Sequence, residues 1–247
     1  MNERQQAIIN LLLEKKEVSV NLLAEQLAVS GVTIRQDLNA LEEQGFIKRV
    51  HGGAVLNNAD DISTRLVFNY EKKLRIARKA AEFVNEGETV FLEGGSTNAL
   101  VARELAQKRN ITIVTVNVFI ARELREHYDT PVILLGGLYQ HQSENLVGTL
   151  TKLCIDQLNF HKAFVGIDGF TKEFGFTGKD LMRAEINAYL AAKTPQLFVV
   201  TDSSKFGKVA LTKYLGPEEV DYVITDAGIP AEAQAFLTEA GVKVVLV

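Results

Sequence analysis

Residues 30–45 (Ser-Gly-Val-Thr-Ile-Arg-Gln-Asp-Leu-Asn-Ala-Leu-Glu-Glu-Gln-Gly) place polar side chains at helical spacing that match the edges of nucleic-acid bases. Arg35 offers paired donors suited to guanine, and Gln36 or Asn39 offers the donor and acceptor that adenine needs. In a helix, Gln36, Asn39 and Glu43 point one way, flanked by Thr33 and Arg35. Ile34, Leu38 and Leu41, at i, i+4 and i+7, form the opposite, apolar stripe. Ser30 reads as the N-cap and Gly45 as the residue just past the end. Taken alone, the segment also describes an ordinary amphipathic surface helix.

A second set of residues suits a small anionic ligand. Each follows a β-branched run. Gly94-Gly95-Ser96-Thr97-Asn98 comes after 89–92, Asn117 after 112–116, and Gly136-Gly137 after 132–135. Asp168-Gly169 comes after 163–167, and Thr201-Asp202-Ser203-Ser204-Lys205 after 197–200. Paired glycines let a backbone approach an anion at a helix N-terminus, and hydroxyls can add to the cradle. Singly, each is ordinary turn chemistry. Together they fit a phosphorylated polyol, with residues 94–98 and Lys205 toward phosphate and Asp168 and Asn117 toward hydroxyls.

The elements that must position these groups follow from periodicity. Residues 4–16 and 18–27 read as helices ahead of 30–45, with Ile8, Ile9, Leu12 and Leu13, then Val20, Leu23 and Leu27, inward. Two β-prone runs meet near Gly52-Gly53 within 46–56, a hairpin signal. Three helices and a hairpin make a winged helix-turn-helix, whose second paired helix enters the major groove. Its wing carries Lys48, Arg49 and His51 and no acid across 46–53. Residues 57–69 are polar and aperiodic, so 57–70 reads as a linker. From 71 onward, helices 72–84, 98–107, 119–126, 182–192 and 231–239 separate strands 89–92, 112–116, 132–135, 163–167, 197–200, 222–224 and 242–246. That alternation predicts an α/β domain over 71–247 with a mostly parallel sheet covered on both faces. The winged domain is expected over 1–56.

At 247 residues, 47% hydrophobic and 23% charged, the chain suits two modest domains. No apolar run is long enough for a transmembrane helix, and no signal core precedes the first helix, so a cytoplasmic protein is expected. Cys154 is the single cysteine and reads as a small buried hydrophobe; the histidines at 51, 127, 141 and 161 lack ligand spacing. No metal or cofactor is therefore expected. Net charge is −4, and residues 1–56 hold six basic against seven acidic side chains. So few phosphate-neutralising charges imply modest affinity per subunit, and a homo-oligomer, dimer or tetramer, is expected to bind operator DNA.

Two sets of motifs carry a family resemblance over nearly the whole chain. Ser30-x-x-Thr33-Ile34-Arg35-x-Asp37-Leu38-x-x-Leu41-Glu42-x-x-Gly45 followed by Arg49-x-His51-Gly52-Gly53 resembles the DeoR family of bacterial repressors. So do the Gly-Ser-Thr loop at 95–97, the Gly-Ile-Asp-Gly turn at 166–169, Phe176-Thr177, and Asp-Ser-Ser-Lys-Phe-Gly at 202–207. The resemblance implies a sensor domain like ribose-5-phosphate isomerase that responds to a sugar phosphate. It places Gly94, Gly95, Ser96 and Thr97 in the cradle, with Asp168 and Lys205 facing the sugar. Four positions depart from the family pattern. Gln36 replaces a second basic residue, Glu93 stands for Asp, and Arg183 and Asn187 stand where Glu and Lys are usual. The rival expectation is a sugar-phosphate isomerase or deaminase fused to a DNA module, with Asp168 as base and Lys205 as electrophile. It lacks a second well-placed carboxylate, Glu185 being the nearest candidate, so no catalytic residue is assigned. A third is a DNA-binding protein whose larger domain only dimerises.

Overall fold

The computed structural model describes residues 2–57 and 62–247. They form two compact units, 1–70 and 71–247. In the first, α1 (Glu3–Lys15), α2 (Val20–Gln26) and α3 (Gly31–Glu43) enclose a core of Ile8, Ile9, Leu12, Leu23, Ile34, Leu38 and Leu41. A capping box starts α1. The Asn2 side chain accepts from Gln5 N at 2.8 Å, and the Gln5 side chain accepts from Asn2 N at 3.1 Å.

The region read as one helix over 18–27 divides at Ser19. Its hydroxyl accepts from Leu22 N and starts α2, while Glu17–Ser19 becomes a strand, β1. The wing strands β2 (Ile47–Val50) and β3 (Gly53–Leu56) pair antiparallel, and β3 also pairs with β1, giving the order β1-β3-β2. Gly53 is required there, since a Cβ would lie 2.5 Å from the Val18 carbonyl oxygen. The segment read as an aperiodic linker contains a helix, α4 (Ile62–Val67). Its Val67 packs on the N-terminal core and accepts a hydrogen bond from the Gln6 side chain. Residues 58–61 of that linker lie outside the described residues.

The second unit is built on seven parallel strands. In chain order its elements begin α5 (Tyr70–Glu82), β4 (Thr89–Leu92), α6 (Ser96–Leu105), β5 (Thr112–Thr115), α7 (Val118–Glu123) and β6 (Val132–Leu134). A hairpin of β7 (Leu138–Gln140) and β8 (Asn145–Val147) precedes α8 (Thr149–Asp156) and β9 (Lys162–Val165). Then come β10 (Gly169–Thr171), β11 (Gly175–Gly178), α9 (Leu181–Lys193), β12 (Leu197–Val200), β13 (Thr212–Leu215), β14 (Tyr222–Thr225), α10 (Ala231–Glu239) and β15 (Lys243–Leu246). The sheet order is β15-β14-β12-β9-β4-β5-β6. Strands β9 and β12 are buried throughout, as continuous apolar runs in a covered parallel sheet should be. From β4 the chain proceeds to β5 and β6, then returns to β9 on the other side of β4. That reversal creates a switch point between β4 and β9, where open α/β sheets leave a crevice. The small antiparallel sheet β10-β11-β13, the β7–β8 hairpin and α8 were not expected from periodicity. Cys154 lies on α8, half-buried against the core.

Candidate functional sites

Helix α3 presents the two faces that its spacing predicted. Ile34, Leu38 and Leu41 are buried, whereas Arg35, Gln36 and Asn39 are exposed. Ser30 Oγ accepts from Thr33 N at 3.1 Å and lies 2.9 Å from Thr33 Oγ1, so both hydroxyls are engaged at the cap. Asp37 is buried and holds α3 to the first turn of α1. It accepts from Arg4 Nε at 2.5 Å and from Gln5 Nε2 at 3.3 Å. The wing is locked to the same helix. Arg49 Nη1 donates to Asn39 Oδ1 at 2.6 Å, and Arg49 N donates to Glu42 Oε1 at 2.7 Å. Lys48 and His51 stay exposed. One residue of this face was missed. Val32 is 64% exposed and shares the stripe of Arg35, Gln36 and Asn39. An apolar residue is assigned inward by default, and only its i, i+3, i+4, i+7 spacing with the polar group signals otherwise.

In the larger unit, Gly95 caps α6 with φ 91° and ψ 164° and contributes no side-chain cap. The amides of Ser96, Thr97 and Asn98 open the helix, where no intrahelical acceptor exists and the dipole favours an anion. Gly94 admits no side chain, because a Cβ would stand 2.3 Å from Asn145 Oδ1. The Asn98 side chain pins the loop, donating to the carbonyls of Gly94 and Phe164 at 3.0 Å each. Its Oδ1 is buried and has no hydrogen-bond partner among the described residues.

Asn117 has a different employment from the one its type suggested. It is fully buried; Oδ1 accepts from Ile120 N at 3.0 Å, and Nδ2 donates to Ser143 O at 2.8 Å and Asn145 Oδ1 at 2.7 Å. Capping α7 and holding the β7–β8 hairpin occupy its amide, so no atom faces a ligand. Asp168 is half-buried beside the mouth of the switch point and accepts from Lys179 N at 3.2 Å. Lys205 ends a single 3₁₀ turn, Ser203–Lys205, capped by Asp202. Burial pushes the Asp202 carboxyl up, but the Ser204 hydrogen bond together with Lys73 and Lys205 hold it below its ordinary range. Buried Lys73, delivered by α5, is thus a second lysine near this strand end that motif reading did not find.

The departures within the larger unit, Glu93, Arg183 and Asn187, lie in one neighbourhood, whereas Gln36 stands apart on α3. Glu93, the residue before the cradle, accepts from Arg183 Nε at 2.8 Å and Nη2 at 2.9 Å. The guanidinium also lies 5.8 Å from the Tyr214 ring centroid. Burial pulls the Arg183 pKa down; Glu93, Tyr214 and Asp168 outweigh it and hold the group firmly charged. Burial pushes the Tyr214 hydroxyl up to about 12, against the pull of Arg183. One turn along α9, Asn187 is fully buried with an amide that makes no hydrogen bond among the described residues. Glu185 points elsewhere, pairing with Lys152 at 2.7 Å while 62% exposed. A second carboxylate for proton transfer is therefore not supplied from that position.

The family model for the DeoR-like helix-turn-helix domain matches residues 4–60, and that for the DeoR C terminal sensor domain matches 68–227. The HTH-type transcriptional regulator GolR of Listeria innocua is 35% identical over 246 residues, 98% of this chain and 97% of that protein. The glycerol-3-phosphate regulon repressor of Escherichia coli is 33% identical, covering 99% of this chain and 98% of its own length. Among solved structures, ribose 5-phosphate isomerase A of Methanocaldococcus jannaschii is 20% identical across 56% of this chain and 55% of that one, with a TM-score of 0.41.

Proposed function

Because this chain belongs to the DeoR family of DNA-binding transcriptional regulators, we propose that it represses a carbohydrate-metabolism operon and releases or retains its operator according to a phosphorylated sugar. The reader is the winged domain over 1–56, with α4 of the 57–70 segment packed on its core, and it precedes a sensor and oligomerisation domain at 71–247. Thr33, Arg35, Gln36 and Asn39 face bases, with Ser30 at the helix cap and Lys48, Arg49 and His51 along the backbone. The phosphate rests on Gly94, Gly95, Ser96, Thr97 and the Asn98 amide, with Lys205 opposite and Asp168 toward the hydroxyls. The observation that carries the reading is the cradle itself. The glycine-capped N-terminus of α6, with no side-chain cap, follows directly on Glu93, which Arg183 neutralises, at the switch point of the sheet, and this supports an anion there.

A sequence-specific reader with so few basic groups needs two half-sites, so the working form is a cytoplasmic homo-oligomer that spaces paired winged domains by roughly one DNA turn, about 34–36 Å. A sugar phosphate that prefers another arrangement shifts operator affinity by its differential binding, typically about 5–150-fold. The test uses the full chain. Duplexes selected from genomic DNA are titrated with protein, with and without glycerol 3-phosphate, fructose 1-phosphate and inorganic phosphate. An affinity change of at least fivefold with one phosphorylated sugar supports the reading, and no change with any refutes the coupling. Turnover of the same compounds, followed by product analysis, would instead favour an isomerase.

A further inference from the structure

We propose that Val32 reads the 5-methyl group of a thymine in the operator and specifies a base that the polar residues of α3 leave unread. This rests on the reading that α3 lies in the major groove. Val32 is 64% exposed, and no other large apolar side chain among the described residues of the 1–70 unit is comparably exposed. Its exposure does not come from a loop. It occupies the second position of a regular helix, Gly31–Glu43, where a β-branched residue is not favoured by propensity. It stands at i to Arg35 at i+3, Gln36 at i+4 and Asn39 at i+7, so one exposed stripe carries all four.

The first residues of a recognition helix are those that reach base edges. At that end, the Ser30 and Thr33 hydroxyls are engaged with each other and with the cap. Beside these capped hydroxyls, the pair of Val32 methyls, held in a narrow rotamer range, is the apolar group that this end of the helix offers to the groove floor. In the major groove the distinctive apolar feature is the thymine methyl. Contact between the two removes both from water with no polar group stranded.

Deoxyuridine isolates this contact, because it keeps the hydrogen-bonding edge of thymine and lacks only the methyl. Duplexes selected from a random library by the full chain would carry deoxyuridine at each thymine in turn, with affinity read by fluorescence anisotropy. For the unaltered protein, one thymine per half-site should lose about fourfold on replacement, the equivalent of one buried methyl-sized group at roughly 0.8 kcal/mol. In Val32→Ser that loss should vanish at that position alone, and Val32→Thr, with one methyl retained, should keep part of it. Circular dichroism checks that the exposed position leaves the helix intact. The proposal is overturned if Val32→Ser preserves the deoxyuridine loss, or if it changes oligomeric state or overall affinity while the thymine-to-deoxyuridine ratio stays fixed. Should Arg35→Ala and Gln36→Ala leave base preference untouched, the groove reading fails, and this proposal with it.

Discussion

Removing the Arg183 guanidinium tests how the sensor tolerates a carboxylate beside the proposed anion site. Glu93 is 1% exposed and its partner 8%, with contacts at 2.8 and 2.9 Å. Arg183→Met strands that carboxylate in the core, which costs about 3–5 kcal/mol for a buried pair broken on one side. An exposed pair sets the contrast. Lys79–Glu82, at 2.6 Å but 37% and 63% exposed, is worth only about 0.3–0.5 kcal/mol. Replacing both charges, as Glu93→Gln with Arg183→Met, removes the stranded charge, so the double variant should be more stable than Arg183→Met alone. The cycle should return a coupling energy of about 2 kcal/mol or more. Hydrogen–deuterium exchange along a urea series, read on peptides from β4, β9 and β12, reports the sensor separately from the reader. Losses that simply add, or an Arg183→Met cost under about 1 kcal/mol, would refute the assignment of this pair as a desolvated, mutually dependent unit.

Other consequences are as direct. Gly94→Ala should lower phosphate affinity at least tenfold by calorimetry, since the new Cβ meets Asn145 Oδ1 at 2.3 Å and that amide is held by Asn117; unchanged affinity would displace the cradle. Burial pushes the Asp226 carboxyl up, but hydrogen bonds from Ser203 and the Lys72 ion pair hold it below its ordinary range. A depressed carboxylate contributes stability that is complete above the unfolded value of about 3.9 and is lost as pH falls through the folded one. The sensor should therefore keep this stability from neutrality to about pH 5 and lose it below about pH 4, and Asp226→Asn should flatten that acid limb in melting experiments. Gln36→Ala should cost about 1–3 kcal/mol at particular base pairs, measured by competition with single-base operator variants. Lys48→Ala should weaken all sites evenly and reduce the salt slope, whereas Arg49→Ala should also alter base preference, because it frees Asn39.

Periodicity and strand-end chemistry made much of the fold legible from residues alone. The apolar stripe of α3, the seven β-branched runs and the Gly-Gly-Ser-Thr turn each express local geometry, which depends on neighbours a few positions away. Short elements escaped for the same reason. Glu17–Ser19 is a strand only because β3 pairs with it, and β10, β11 and β13 form a sheet only through partners up to 39 positions distant in sequence, Phe176 to Leu215. Composition could not say that Asn117 would be enclosed by Ser143 and Asn145, or that Lys73 would arrive beside Asp202. Nor could it say that Glu93 and Arg183, ninety positions apart, would neutralise each other. The sequence by itself determined which segments could become reader and cradle, since caps, glycines and hydrophobic spacing act within a turn or a strand. Tertiary structure alone decided which polar groups remain available to a ligand, because availability depends on long-range partners that compete for the same donors and acceptors.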